Sequence, residues 1–294
     1  MTARRTPEVS LGMPAYNSAG TIRSAIECLL GQDFQDLELI ISDNASTDDT
    51  WSIVQEYASR DRRVVAVRQP RNLGANGNYC AVFRAAQGRY FKWASSNDWC
   101  APRFISLCAA HLARNPDAVL VAPRTKLFAE DVADGTDYAH DLAFEHSDAV
   151  ERFKDVLQRL RLNNVMNGLI RTAALRRTRL IEHYPGSDVV LVAHLALLGK
   201  ILLLDEHLFG RRMDKQTATS LMTPEQVQRH HYPQRTSRSL FPTWRNSFGG
   251  ARAVLSVDLR ISDRLRGLAW VARQFHWRST DLRQDVVDAI RYLR

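Results

Sequence analysis

The chain has 294 residues, 45% hydrophobic and 24% charged, with a formal net charge of +8 at pH 7. That length buries a sizeable core, and the composition is that of a globular protein rather than a disordered or fibrous one. No apolar run reaches the roughly 18 residues that span a bilayer, and the basic start MTARRTPEVS lacks the apolar stretch of a signal peptide, so a cytoplasmic location is expected.

The first elements alternate. EVSLGMPAY holds a strand near Val9–Met13. In TIRSAIECLLG, Ile22, Ala25, Ile26, Leu29 and Leu30 share one helical face, with Gly31 as the stop. Leu37–Asp43 is a strand, and the next helix takes Ser46 or Thr47 as N-cap, with Asp48 and Asp49 favouring its dipole. RVVAVRQ is a third strand, GANGNYCAVFRAAQG a helix ending at Gly88, and RYFKWAS a fourth strand. A helix over Phe104–Asn115 and a strand over Asp117–Pro123 follow. From Thr125 to Asp148 the pattern loosens, with AEDVADGTDY a loop or hairpin. Beyond it come a helix near Val150–Leu160, a strand in NNVMNGLI, a helix capped by Ser187, and one or two strands in ILLLDEHLFGRRM. The chain after Thr223 is helical and basic, with 13 Arg against 6 acids from residue 225 onward. In Asp263–Trp277, Leu265, Leu268, Ala269, Ala272 and Phe275 form one helical face, and Trp270 and Trp277 lie on another with arginines nearby. His194 and His207 read as structural, and His230 and His231 as surface residues.

Strands alternating with helices of this length argue for an α/β fold with a mainly parallel, Rossmann-like sheet flanked by helices. Ligands in such sheets sit outside the carboxyl ends of the strands. The residues there are PAYN, Asp43-Asn44, RQPRNLG and SSND. The first turn, MPAYNSAG, has no G-x-G-x-x-G, and no Walker loop is present. A nucleotide can be held differently. An aspartate after the second strand can accept from a pyrimidine ring N–H, and a divalent cation on a carboxylate after the fourth can neutralise a diphosphate. The cysteines at 28, 80, 100 and 108 form neither a CxxC pair nor a zinc spacing.

The stretches VSLGMPAYNSAGTIRSAIECLLGQDFQDLELIISDNASTDDT, RQPRNLGANGN and GRYFKWASSNDWCAPRF resemble family 2 glycosyltransferases of the GT-A fold. The likeness is dense over about residues 8–125 and thinner over 165–220. It implies transfer of a sugar from a UDP-sugar, or another nucleotide-diphosphate sugar, to a saccharide or lipid-linked saccharide, by single displacement with inversion, in cell-surface polysaccharide synthesis. Pro14, Tyr16 and Asn17 match the loop that lines the nucleotide. Asp43 matches the carboxylate that reads uracil, and Asn72 and Gly74 the loop near base and ribose. Asp98 matches the last acid of the family's metal-binding element for Mn²⁺ or Mg²⁺, with Asn97 offering a neutral carbonyl where relatives often have a second acid. Asp188, in YPGSD, falls where relatives carry the catalytic base, and Arg211 and Arg212 fall where a basic loop closes over the diphosphate.

The same resemblance divides the chain into a GT-A domain, 1–223, and a basic helical C-terminal segment, 224–294. The domain comprises a nucleotide-sugar-binding half, 1–125, and an acceptor-binding half, 126–223. The segment is expected either to pack on the domain or to lie on anionic lipid at the inner face of the cytoplasmic membrane. Nucleic acid is not expected as a partner. Two alternatives are weighed. A sugar-nucleotide pyrophosphorylase would need a Gly-rich GGxGTR-like turn that GMPAYNSAG lacks. A non-catalytic binder of nucleotide or glycan would fit the thinned metal motif at Ser95–Asn97.

Overall fold

The computed structural model describes residues 6–213 and 241–293. Its first half runs β1 (Val9–Ala15), α1 (Ile22–Leu30), β2 (Leu37–Asp43), α2 (Thr50–Arg60), β3 (Val64–Arg68), α3 (Ala75–Ala85), β4 (Tyr90–Trp93). The second half holds β5 (Trp99–Cys100), α4 (Phe104–Arg114), β6 (Ala118–Phe128), β7 (Thr136–Asp137), α5 (Ala149–Arg159), β8 (Leu169–Arg171), α6 (Thr172–Leu175), α7 (Ser187–Leu198) and β9 (Lys200–Arg212). Helices α8 (Pro242–Ser256), α9 (Ile261–Trp277) and α10 (Ser279–Leu293) follow.

One sheet runs in the order β3-β2-β1-β4-β8-β6-β9-β5, with β7 added on β6. Its long ladders, β1 with β2, β1 with β4, β2 with β3 and β6 with β9, are parallel. The antiparallel ladders of β8, β5 and β7 are two residue pairs each. All seven residues of β2 are buried, because helices cover both faces of the sheet. Alternate residues then feed two cores: Leu39 and Ile41 pack with Ile26 and Phe104 on one face, and Ile40 with Phe91, Trp93 and Leu191 on the other. Gly88 is required by close approach, since a Cβ there would lie 2.6 Å from the Ser10 amide nitrogen.

Several local expectations are corrected. Ser46 and Thr47 precede α2 rather than cap it; the Thr50 N–H is taken by Asp48 Oδ1 at 3.0 Å. Gly186, in the left-handed region at φ 84°, caps α7, and the Ser187 hydroxyl donates to the Glu182 carbonyl at 2.7 Å. Helix α3 ends at Ala85, before Gly88. NNVMNGLI is a 3-10 turn over Val165–Asn167 followed by the short β8. AEDVADGTDY forms the hairpin from β6 to β7.

The C-terminal helices share the core of the α/β layer through Val254, Trp270 and Val271. Trp270 meets Phe153 edge-on at 5.8 Å, Asn246 Nδ2 donates to the Pro185 carbonyl, and Arg266 pairs with Asp148. The face of α9 differs from expectation. Gly267, Trp270 and Val271 are buried, whereas Leu265 is 62% exposed. Gly267 is the reason: its bare Cα lets the Val254 side chain approach, to 3.0 Å of where a Cβ would stand, so the seam centres on the glycine, keeps Leu268 and Phe275 partly buried against the core, and leaves Leu265 out. His230 and His231, the segment 224–240 and the boundary at residues 223/224 lie outside the described residues.

Candidate active site

The parallel register puts the carboxyl ends of β1, β2 and β4 on one edge, with Ala15 beside Asp43 and Gly12 beside Trp93. The loops there are stitched together. Asn17 donates its N–H to Ser46 Oγ at 3.0 Å, and its Oδ1 accepts the Thr47 N–H at 2.9 Å. Ser96 Oγ donates to Ser18 Oγ at 2.8 Å, joining the β4 loop to the β1 loop. Asn17 and Ala45 have φ of 48° and 59°, conformations that non-glycine residues hold only where the surroundings dictate them. Pro14 lies one residue before the end of β1, and Tyr16 projects from the loop at 47% exposure.

Asp43 is fully buried at the end of β2. Its carboxylate accepts the Ser46 N–H at 3.2 Å and faces Arg68 Nε at 3.3 Å. Arg68 in turn lies over the Trp51 ring, 5.4 Å from its centre. The Arg68 side chain is about half exposed, so it leads from the buried carboxylate out to solvent. The buried Asn44 beside it organises the next loop: its Nδ2 donates to Asn72 Oδ1 at 2.9 Å, and its Oδ1 accepts the Leu73 N–H at 2.8 Å. Asn72 Oδ1 also accepts the Gly74 N–H, and Gly74 turns into α3 at φ 76°, a backbone region open to glycine and strained for other residues.

The half-buried Asp98 sits in the turn after β4, and its Oδ1 accepts the main-chain N–H of Arg212 at 2.9 Å. Burial lifts its carboxyl to about 6, against the opposing pull of that N–H and of Arg211 and Lys92. Asn97 Oδ1 accepts from Ser95 Oγ within the turn at 2.5 Å, which uses one of that oxygen's two lone pairs. The two arginines diverge. Arg211 Nη1 donates to Asn164 Oδ1 at 2.8 Å, while the Arg212 guanidinium donates to the Ala129 and Glu130 carbonyls and lies over Phe128. The main chain of Arg212 is what hydrogen-bonds the turn of Asp98.

Asp188 stands in the first turn of α7, and Asn163 Nδ2 donates to its Oδ2 at 2.9 Å. Asn163 Oδ1 is buried without a partner among the described residues. Tyr79 connects these groups. Burial pushes its phenol up to about 12, and Asp98 and Asp188 push the same way against Arg211. The phenol therefore stands within electrostatic reach of all three.

Tyr79, Asn163 and Asn164 were not singled out from sequence, because no local motif marks them; they come to the site through α3 and the turn before β8. Lys92 is fully buried and spends its ammonium on the Trp93 and Asn167 carbonyls at 3.0 and 2.6 Å, against the Phe104 ring. It is a fixed charge beneath the Asp98 turn. No cluster of three His, Cys, Asp or Glu side chains is present among the described residues. Asp98 still fits a hard cation: one of its oxygens has no hydrogen bond from these residues, and a cation relieves the cost of its desolvated charge. None of the described helices is long and apolar enough to cross a membrane.

The glucosyltransferase WfaP of Escherichia coli, named for UDP-Glc and GlcNAc-diphosphoundecaprenol, is 35% identical over 91 residues, covering 31% of this chain and 36% of WfaP. The chain thus matches about a third of that relative's length. TarS of S. aureus in complex with UDP-GlcNAc superposes with a TM-score of 0.66 at 18% identity, over 92% of this chain and 74% of the other. A mannosyltransferase from Pyrobaculum calidifontis in complex with GDP-Man and Mn2+ superposes at 0.53 with 14% identity, over 94% and 76%. These neighbours share the GT-A fold expected from sequence. The sequence profile of glycosyl transferase family 2 matches residues 10–184, and the chain belongs to that family.

Proposed function

We propose that this chain is an inverting glycosyltransferase that moves a sugar from a UDP-sugar to a saccharide or lipid-linked saccharide acceptor during cell-surface polysaccharide synthesis. The observation that carries the reading is the hydrogen-bonded chain that gathers the charged groups: Asp98 accepts the Arg212 N–H, Arg211 donates to Asn164, and the adjacent Asn163 donates to Asp188, with Asp43 buried at the end of β2. The names of WfaP and of the TarS complex support the UDP-sugar and the lipid-linked acceptor.

Asp43 accepts the uracil N3–H, and Asn72, Gly74, Pro14, Tyr16 and Asn17 line the base and ribose. The acceptor hydroxyl attacks the anomeric carbon as the bond to the diphosphate breaks. Asp188 takes that hydroxyl's proton. The Asn163 amide holds one Asp188 oxygen and leaves the other for the acceptor. Negative charge gathers on the leaving diphosphate, where Arg211 stabilises it. A Mn²⁺ or Mg²⁺ held by Asp98, with phosphate and water completing its shell, would supply Lewis-acid neutralisation of that charge. Residues 1–223 form the catalytic unit in this reading, and 224–294 a peripheral contact with an anionic membrane.

Titration of UDP with and without Mn²⁺ by calorimetry tests the proposal. Metal-enhanced binding is expected; no binding with metal present overturns it. A non-catalytic binder is the second reading, favoured by the engagement of Asn97 by Ser95. UDP binding without turnover of any UDP-sugar, hydrolysis included, would select it.

A further inference from the structure

Among the described residues, ten large hydrophobic side chains are exposed, and nine of them lie between Phe241 and Ile290. The tenth is Tyr16. Such concentration on one part of a protein marks an interaction surface. Ile261 is 75% exposed, Leu265 62% and Trp277 58%, and all three lie on α9.

Between the helices runs a groove of about 580 Å³ walled by Trp244, Phe275, Leu282, Val286 and Val287, with Ser279 and Arg283 as its polar members. The groove is preformed. The Asp285 carboxylate accepts the N–H groups of Thr243 and Trp244 at 2.8 and 3.3 Å, pinning α10 to the start of α8. The Trp244 indole N–H is satisfied by the Leu282 carbonyl at 3.1 Å, so that wall offers carbon to an occupant. Phe248 extends it, stacking on Trp244 at 6.1 Å.

Charge selects the occupant. Arg252, Arg266 and Arg278 are paired with Glu182, Asp148 and Asp281. Arg245, Arg260, Arg273 and Arg283 meet no carboxylate among the described residues. Symmetric pairing with a second copy would bring residues 242–293, which hold nine Arg and five Asp, against their own like, which repels. An anionic bilayer offers hydrocarbon and phosphate together.

We propose that the outward face of α8, α9 and α10 is a membrane-docking surface, and that its groove takes one hydrocarbon chain of a phosphate-bearing lipid, with Arg283 on the phosphate. This rests on the membrane contact proposed above and assigns it a face and a ligand class. The test is flotation of the full chain with vesicles of phosphatidylcholine, alone or with about a third phosphatidylglycerol, beside calorimetry with short-chain phosphatidylglycerol below its micelle concentration. The expected results are at least about tenfold tighter binding to the anionic vesicles and saturable binding of the monomeric lipid. Paired Val286→Asp and Val287→Asp changes should abolish monomeric-lipid binding and weaken flotation, and Arg283→Glu should remove the anionic preference. UDP affinity should be unchanged in each variant, as a control for folding. Absence of vesicle binding, indifference to these changes, or a stable dimer that the groove changes dissociate would each overturn the proposal. Lost UDP binding with flotation intact would strike only the catalytic reading.

Discussion

The substitution Asp98→Asn in metal-free protein gives the sharpest test of the electrostatics at the β4 turn. Burial raises the Asp98 carboxyl from 3.8 to about 6, so ionising it costs more in the folded chain than in the unfolded one. Each tenfold weakening of an acid corresponds to about 1.4 kcal/mol, giving a ceiling of about 3 kcal/mol, and partial solvent screening brings the expectation to about 1–3 kcal/mol. The sign follows from proton uptake. Below about pH 4 both states hold the proton and the penalty is absent; it grows as pH rises to about 6 and is complete above that. Asparagine cannot ionise, and its Oδ1 can still accept the Arg212 N–H. Asp98→Asn should therefore be more stable than the wild type by about 1–3 kcal/mol at neutral pH and equally stable near pH 4.

Urea unfolding across this range with a chelator present measures the difference. His194 must be subtracted. It is buried, and burial lowers its imidazole from 6.5 to about 4, so the unfolded state takes up its proton first and stability falls as pH drops through that window. This loss runs opposite to the Asp98 effect and masks it in the wild type alone. It is common to both proteins and cancels in the difference curve. A gain independent of pH, or an Asp98→Asn protein less stable at neutral pH, would refute the assignment of Asp98 as the desolvated acid. Transfer should move the other way: with UDP-sugar and Mn²⁺ present, the stabilised variant should be inactive, the trade expected where a site stores unfavourable charge.

The other predictions address the remaining roles. Asp43→Asn removes the carboxylate facing Arg68 and should weaken UDP binding by about tenfold or more; an unchanged affinity by calorimetry would take Asp43 out of the uracil role. Asp188→Asn should abolish transfer with UDP affinity intact, and full activity would place the base elsewhere. Asn163→Ala should lower kcat with little effect on UDP affinity, and Asn163→Asp should raise the pH at which activity appears, because two adjacent carboxylates share a proton; an unshifted pH profile would leave Asn163 without a role in positioning Asp188. Gly88→Ala should cost about 2–4 kcal/mol in chemical denaturation, since its Cβ meets the β1 backbone, and a loss under about 1 kcal/mol would show that this contact relaxes.

Legibility from sequence followed the range of the interactions involved. The bounds of α1 and β2 were readable because apolar spacing, Gly31 and a fully buried strand are local signals, and the strand-end rule then located Asp43 and Asp98. The caps misled where a hydroxyl had another partner: Ser46 was taken by Asn17, 29 residues away, and Ser187 by the Glu182 carbonyl in the turn before α7. Periodicity failed on β8, whose antiparallel ladders are too short to impose an alternation. The hydrophobic face of α9 was read in part: Leu268 and Phe275 do pack on the core, but the seam centres on Gly267, Trp270 and Val271 and leaves Leu265 in solvent. That misreading has a physical use. Leu265, which the protein's own core leaves out, still carries the cost of contact with water, so a lipid partner would remove a penalty already built into the folded chain. Asn163 follows the same logic at the site: it donates to Asp188, 25 residues away, so its role arises only when the turn before β8 and α7 converge.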